Sequence, residues 1–170
     1  PKKKLVGDGL ITNIKGLAIG ILTADCAPIF FFDPRKKIIG AAHAGWRGTF
    51  KKIVKNMISH FKKRGSKLND LCAIIGPCIS QNNYEVKDDL IQKFLNQSLT
   101  SKRHFKREGG KIYFDLKGYI FQQLKNIGIK NIEIIKKDTF DPKNKFFSAR
   151  RSLKNKIDDY GRNISIIMIK

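Results

Sequence analysis

Apolar residues along this chain change their spacing repeatedly, and each change predicts an element. Residues 17–23, 28–32 and 37–42 are short β-branched or aromatic runs. They are separated by Asp25-Cys26 and by Asp33-Pro34-Arg35, which reads as three strands joined by turns. From there Phe50, Ile53, Val54, Met57, Ile58 and Phe61 fall on one face at helical spacing, with Lys51, Lys52, Lys55 and Lys62 opposite. This predicts an amphipathic helix with Thr49 as its N-cap, ending near Arg64-Gly65. Residues 71–76 read as a buried strand closed by Gly76-Pro77, and residues 84–95 as a helix through Val86, Leu90, Ile91 and Phe94. The polar, basic stretch 96–110 predicts a mobile loop. A strand at 111–114 leads into a helix capped by Asp115, carrying Leu116, Ile120, Leu124 and Ile127, and stopped by Gly128. Residues 132–135 and 164–169 are the last strands, on either side of a long connection that holds Phe146-Phe147-Ser148-Ala149-Arg150-Arg151. Strands and helices interleave without repeat or linker, so the class is α/β or α+β.

A length of 170 residues fits one domain spanning the whole chain, large enough to bury about 70% of its unfolded surface. With 41% hydrophobic and 29% charged residues the composition is globular. No apolar run approaches the roughly 18 residues of a membrane-spanning helix, so no membrane partner is expected. Pro1-Lys2-Lys3-Lys4-Leu5-Val6 has the charge of a secretory leader without the apolar stretch behind it. Cys26, Cys72 and Cys78 are odd in number and form no C-x-x-C pair, which argues against a disulfide framework and for the cytoplasm. The chain opens on Pro1 where an initiator methionine would stand, so a processed protein or one with its front missing is expected.

The net charge of +21 would attract nucleic acid or phosphates at long range. Only eight of the 35 basic residues are Arg, however, and the Lys are spread along the chain among Ile and Asn. Base and phosphate recognition leans on the planar fork of Arg, so a solvated basic surface is favoured over an RNA-binding function.

The chemistry is concentrated in Thr23-Ala24-Asp25-Cys26-Ala27-Pro28 and Ala42-His43-Ala44-Gly45-Trp46-Arg47-Gly48-Thr49. Each places a metal-competent or nucleophilic side chain at the end of a predicted strand, and a returning strand could bring both to one sheet edge. A thiol and an imidazole support a zinc site that needs a further ligand, or a cysteine hydrolase in which His43 assists Cys26. A buried Cys and a His bonded to a carbonyl are the structural alternative. Gly45 and Gly48 bracket Trp46 and Arg47 at a predicted helix start, where an anion is favoured. Asp25 is a candidate to orient His43, or to cap the turn before Cys26. His60 and His104 are expected to be exposed and not ligands. Cys72 and Cys78 are assigned to packing.

At these residues the chain resembles the family of multicopper polyphenol oxidase or laccase-domain proteins, known also as purine nucleoside phosphorylases and, in some bacteria, as a peptidoglycan editing factor. The two motifs above carry the resemblance, together with Ile75-Gly76-Pro77-Cys78-Ile79, Tyr84-Glu85-Val86, Phe146-Phe147-Ser148, Arg150-Arg151 and Gly161-Arg162. They lie in family order over nearly the whole chain.

The resemblance implies a mixed α+β fold of layered β-sheets flanked by helices, like the cytotoxic necrotizing factor-like cysteine hydrolase fold. It implies Zn2+ held by Cys26, His43 and a His upstream of Pro1. It implies phosphorolysis of adenosine, inosine or methylthioadenosine, with phosphate near Arg47 and one or both of Arg150 and Arg151, and deamination of adenosine at the same site. Its other branch implies an amidase acting on peptidoglycan precursors, with Cys26 as nucleophile and His43 as base.

Two departures stand out. No His precedes His43, and Asp138-Thr139-Phe140 stands where relatives have Cys-Thr-Tyr, while Ala149 replaces a usual Tyr. Three His in all cannot hold a multicopper cluster, so polyphenol oxidation is set aside.

Overall fold

A computed structural model describes residues 7–170. Its largest sheet has five strands: β1 (Gly9–Thr12), β3 (Ala27–Asp33), β4 (Ile38–Ala44), β5 (Cys72–Ile75) and β9 (Asn131–Ile134), in the order β1-β4-β3-β5-β9. All neighbours are antiparallel except β5 and β9, so the sheet is mixed. The β3–β4 hairpin sets its centre. Asp33 Oδ1 accepts from the N–H groups of Arg35 and Lys36, both at 2.9 Å, and this Asx turn pairs Asp33 with Ile38 and Ala27 with Ala44.

β2 (Ala18–Thr23) and β10 (Asn163–Met168) form a separate antiparallel ribbon, and β6 (Glu85–Val86), β8 (Lys111–Phe114) and β7 (Phe105–Glu108) a small three-stranded sheet. The ribbon is patterned against the usual rule. Ile164, Ile166 and Met168 of β10, beside Leu22 of β2, point outward and stay exposed, while Asn163 and Ser165 face inward. No helix among the described residues is long and apolar enough to cross a membrane.

The helices are α1 (Trp46–Phe50), α2 (Ile53–Lys63), α3 (Asp88–Gln97), α4 (Leu116–Ile127) and α5 (Ala149–Lys154). The apolar face of α2 lays Val54, Met57, Ile58 and Phe61 into the core with Phe31, Ile29 and Ile75. Gly40 permits this approach: a Cβ there would lie 2.8 Å from the Phe61 ring. Phe94, Phe105, Phe114 and Tyr119 form an aromatic cluster that joins α3 and α4 to the small sheet, with Phe94 and Tyr119 edge to face at 4.9 Å. Asp115 caps α4 through Gly118 N at 2.9 Å, and Gly128 ends it at φ 102°.

The fold is therefore α+β, as the sequence pattern and the resemblance predict, with four local corrections. The single helix predicted from Thr49 is two, broken where Lys52 takes a left-handed conformation (φ 61°), and Thr49 is a buried residue of α1 instead of a cap. The break lets Phe50 pack on Phe94 at 5.4 Å while Phe61 packs on the main sheet. The helix predicted over 84–95 begins only at Asp88, because Glu85 and Val86 pair with β8. The mobile loop predicted over 96–110 holds a 3-10 helix (Leu99–His104) and β7.

The fourth correction is His104, which is buried, its ring 5.2 Å from Tyr119, where the sequence reading has it exposed. Burial holds its pKa below the ordinary histidine value, with Arg103 acting in the same sense and Asp115 opposing. The unfolded chain thus takes up this proton first, and stability falls as pH drops below the ordinary value of about 6.5. Urea midpoints measured at pH 7.5 and 5.5 should fall less for His104→Phe than for the wild type. Equal falls would show that His104 does not contribute to acid sensitivity.

Candidate active site

Strand register brings Cys26 and His43 together. Cys26 directly precedes β3 and His43 is the penultimate residue of β4, so the pairing of Ala27 with Ala44 sets Cys26 beside Gly45. The point where a Gly45 Cβ would stand is 2.7 Å from Cys26 Sγ and 3.9 Å from His43 Nε2. The missing side chain leaves a small cradle bounded by a sulfur and an imidazole nitrogen.

The other ring nitrogen of His43 faces Asp8, with Nδ1 3.6 Å from Oδ1, and His43 N donates to Asp8 O at 2.8 Å. Asp8 thus takes the orienting place that the sequence reading offered to Asp25. Its nearness follows from β1 pairing with β4, which no local signal in the sequence specifies. Burial pushes the Cys26 thiol up to about 11, and the Asp25 and Asp8 carboxylates add to the effect. Without a cation beside it this thiol keeps its proton at neutral pH, which weakens it as a free nucleophile.

A thiol sulfur and an imidazole nitrogen are a donor pair suited to Zn2+. The cradle opposite Gly45 is where the two converge. Among the described residues no group of three His, Cys, Asp or Glu side chains gathers there or elsewhere. Two candidate metal donors therefore meet at this point, fewer than the three protein ligands a zinc site needs.

Asp25 has a different task. It is buried and takes φ 83°, a left-handed conformation that Asp tolerates better than most residues. Its carboxylate accepts from Thr139 Oγ1 at 2.7 Å and from Arg150 N at 2.6 Å, and its carbonyl from Ile79 N at 3.0 Å. One residue next to Cys26 therefore ties the β2–β3 connection to the start of α5 and to two loops far away in sequence.

Arg150, Arg151 and Arg47 are placed differently from one another. The Arg150 guanidinium donates to Glu85 O at 2.7 Å and lies 5.4 Å from the Tyr84 ring. It borders an open groove of about 490 Å3 with Trp46, Tyr84 and Leu90. Tyr84 lines that groove, and its hydroxyl is pushed to higher pKa by burial first and by Cys26 second.

Arg151 faces the other way, donating to the carbonyls of Thr139, Phe140 and Phe146. Its guanidinium pins that loop, and Arg151 is not among the residues that line the groove beside Arg150. Arg47 is exposed, 5.1 Å from the Trp46 ring, and pairs with no carboxylate among the described residues.

Asp138, at the position that departs from the family pattern, accepts from Ser80, Asn83 and Phe140 N. Burial pushes this carboxyl up, and those bonds outweigh it to hold it below the usual carboxylate range. The altered residue therefore has a structural place in the loop that Arg151 secures. Cys78 is fully buried in the core and Cys72 half-buried in β5. His60 is exposed on α2.

Comparison with known proteins places these features in context. Residues 2–170 match the family model described as multi-copper polyphenol oxidoreductase laccase. A purine nucleoside phosphorylase of Rickettsia conorii is 37% identical over 166 residues, covering 96% of this chain and 68% of the relative. An adenosine deaminase from an unknown prokaryotic organism is 32% identical over 154 residues, covering 85% of this chain and 56% of the relative. Among solved structures, the hypothetical protein YfiH of Bacillus licheniformis superposes with a TM-score of 0.86 at 36% identity, covering 96% of this chain and 61% of that one. The chain thus spans roughly three fifths to two thirds of the length of these proteins.

Proposed function

This chain belongs to the multi-copper polyphenol oxidoreductase laccase family, and from that membership we propose that it is a zinc-dependent purine nucleoside phosphorylase that also deaminates adenosine. The observation that carries the reading is the convergence of Cys26 Sγ and His43 Nε2 on the cradle at Gly45. Relatives named purine nucleoside phosphorylase and adenosine deaminase support the reaction class. Cys26 and His43 would hold Zn2+, with a third protein ligand from outside the described residues. When bound, the ion supplies Lewis-acid polarisation and an activated water.

The chain's own groups have separable tasks in this reading. Asp8 would favour a proton on His43 Nδ1, which it faces, and leave Nε2 free to act as a ligand. The flat faces of Trp46 and Tyr84 on the groove suit a purine, and Arg150 beside them suits phosphate, with Arg47 against the Trp46 ring as a further cation. In phosphorolysis a phosphate oxygen bonds to the anomeric carbon as the C–N bond breaks, and the purine leaves with the electron pair and takes up a proton. In deamination water adds at C6 and ammonia departs.

The test is made on the purified native protein. Metal analysis should find zinc, lost in Cys26→Ser and His43→Ala. Chromatography of adenosine incubations should show adenine and ribose 1-phosphate only when phosphate is present, and inosine without it. Full phosphorolysis in both variants would overturn the assignment. Hydrolysis of a peptidoglycan-derived amide, lost in Cys26→Ser while zinc is retained, would replace it with the amidase reading.

A further inference from the structure

Arg150 reaches the groove from α5, a helix of six residues that is too short to hold its own place. The chain that follows gives it little support. Residues 155–162 are exposed except for half-buried Tyr160, and every hydrogen bond they make among the described residues is to residues 151–162. The first anchor after α5 is Asn163, which opens β10 opposite Thr23.

Asn163 does more than pair within the ribbon. Its side-chain amide reaches back sixteen positions to Phe147, where Oδ1 accepts from Phe147 N at 2.9 Å and Nδ2 donates to Phe147 O at 2.8 Å. Nδ2 also donates to Thr23 O at 3.2 Å. One side chain thus meets both polar groups of the Phe147 backbone and closes the stretch 147–163 into a loop. Gly161 supports the closure, because a Cβ there would lie 2.7 Å from the Phe147 ring, which rests against the returning chain.

Phe147 directly precedes Ser148, the N-cap of α5, and Arg150 is the second residue of that helix. Asp25 holds the first turn at one point, Arg150 N, and a helix held at one point can pivot. The bonds between Asn163 and Phe147 supply a second point three residues away, and the Arg151 guanidinium ties the preceding residue through Phe146 O. Held so, the Arg150 guanidinium meets Glu85 O and the Tyr84 ring at the groove wall.

We propose that Asn163 is a positioning residue for phosphate: by closing the 147–163 loop it sets where α5 begins and so holds Arg150 at the groove. This role rests on the phosphorylase reading above. The competing route runs through Thr23, three residues before Cys26, and it would disturb the metal site instead.

Steady-state kinetics of the purified native protein, with zinc measured in every sample, separate the two routes. Asn163→Ala loses all three bonds. Asn163→Asp keeps the acceptor for Phe147 N but turns a carboxylate oxygen on two carbonyls. Both variants should raise the phosphate KM at least about fivefold, with kcat at saturating phosphate within about twofold of the wild type. Zinc content should be unchanged, and deamination, which uses no phosphate, should fall less than about twofold. Hydrogen exchange at Phe147 and along α5 should be at least about tenfold faster in both. An unchanged phosphate KM or unchanged exchange overturns the proposal. Loss of zinc, with both reactions falling together, assigns Asn163 to the metal side or to the fold as a whole and overturns it as well. A wild-type protein that forms no ribose 1-phosphate sinks the phosphorylase reading and this role with it, whereas wild-type phosphorolysis with a KM indifferent to both substitutions sinks the role of Asn163 alone.

Discussion

Asp25→Asn is expected to destabilise the protein by about 2–4 kcal/mol in urea unfolding and to lower phosphorolysis by about a hundredfold. Asn tolerates the left-handed backbone at this position, so the substitution isolates the carboxylate. The carboxylate accepts two short bonds in a buried setting, from Thr139 Oγ1 and Arg150 N. An amide cannot accept both equally, because one of its two polar ends is a donor. The loss reaches the site from two sides, since Asp25 precedes Cys26 in sequence and anchors the first turn of the helix that carries Arg150. Asp25→Ala should cost about 1–2 kcal/mol more, because it adds a strained left-handed alanine. A stability change below about 0.5 kcal/mol with unchanged turnover would show that the network is not needed to hold the site.

Gly45→Ala is expected to leave the fold intact and to remove zinc uptake and turnover together. Gly45 has φ −80° and ψ 177°, an ordinary extended conformation that alanine adopts without strain. The new methyl, however, would stand 2.7 Å from Cys26 Sγ and close to His43 Nε2. The thiol must swing aside, which moves one donor of the pair while the core behind it is untouched. Circular dichroism should be unchanged and stability within about 1 kcal/mol of the wild type. Zinc affinity should fall by at least about tenfold, with phosphorolysis falling in proportion. Wild-type zinc content and wild-type rate in this variant would show that the cradle is not where a metal binds.

The extent to which each feature was legible in the sequence follows from its range along the chain. The β3–β4 hairpin was legible because an Asx turn, two apolar runs and their register are all local. So was α4, whose cap at Asp115 and stop at Gly128 are separated by a single helical stripe. The sequence reading also chose Cys26 and His43, since both sit at ends of strands that the hairpin aligns, and the family motifs mark the same residues.

The sequence by itself thus determined the class of fold, most element positions and the strand ends that carry Cys26 and His43, because those depend on periodicity and turn chemistry over a few residues. Only the tertiary structure decided what surrounds them. Asp8 reaches His43 because β1 joins β4, and Asp25 turns away to Thr139 and Arg150, more than a hundred residues later. Adjacent arginines diverge because one guanidinium faces a groove and the other a ring of carbonyls. The helix expected at Thr49 breaks at Lys52, and the loop expected around His104 is ordered, because packing on Phe94 and Tyr119 outweighs local polarity. Hydrogen bonds and contacts between distant segments carry no local signature, so their partners exist only once the chain has folded.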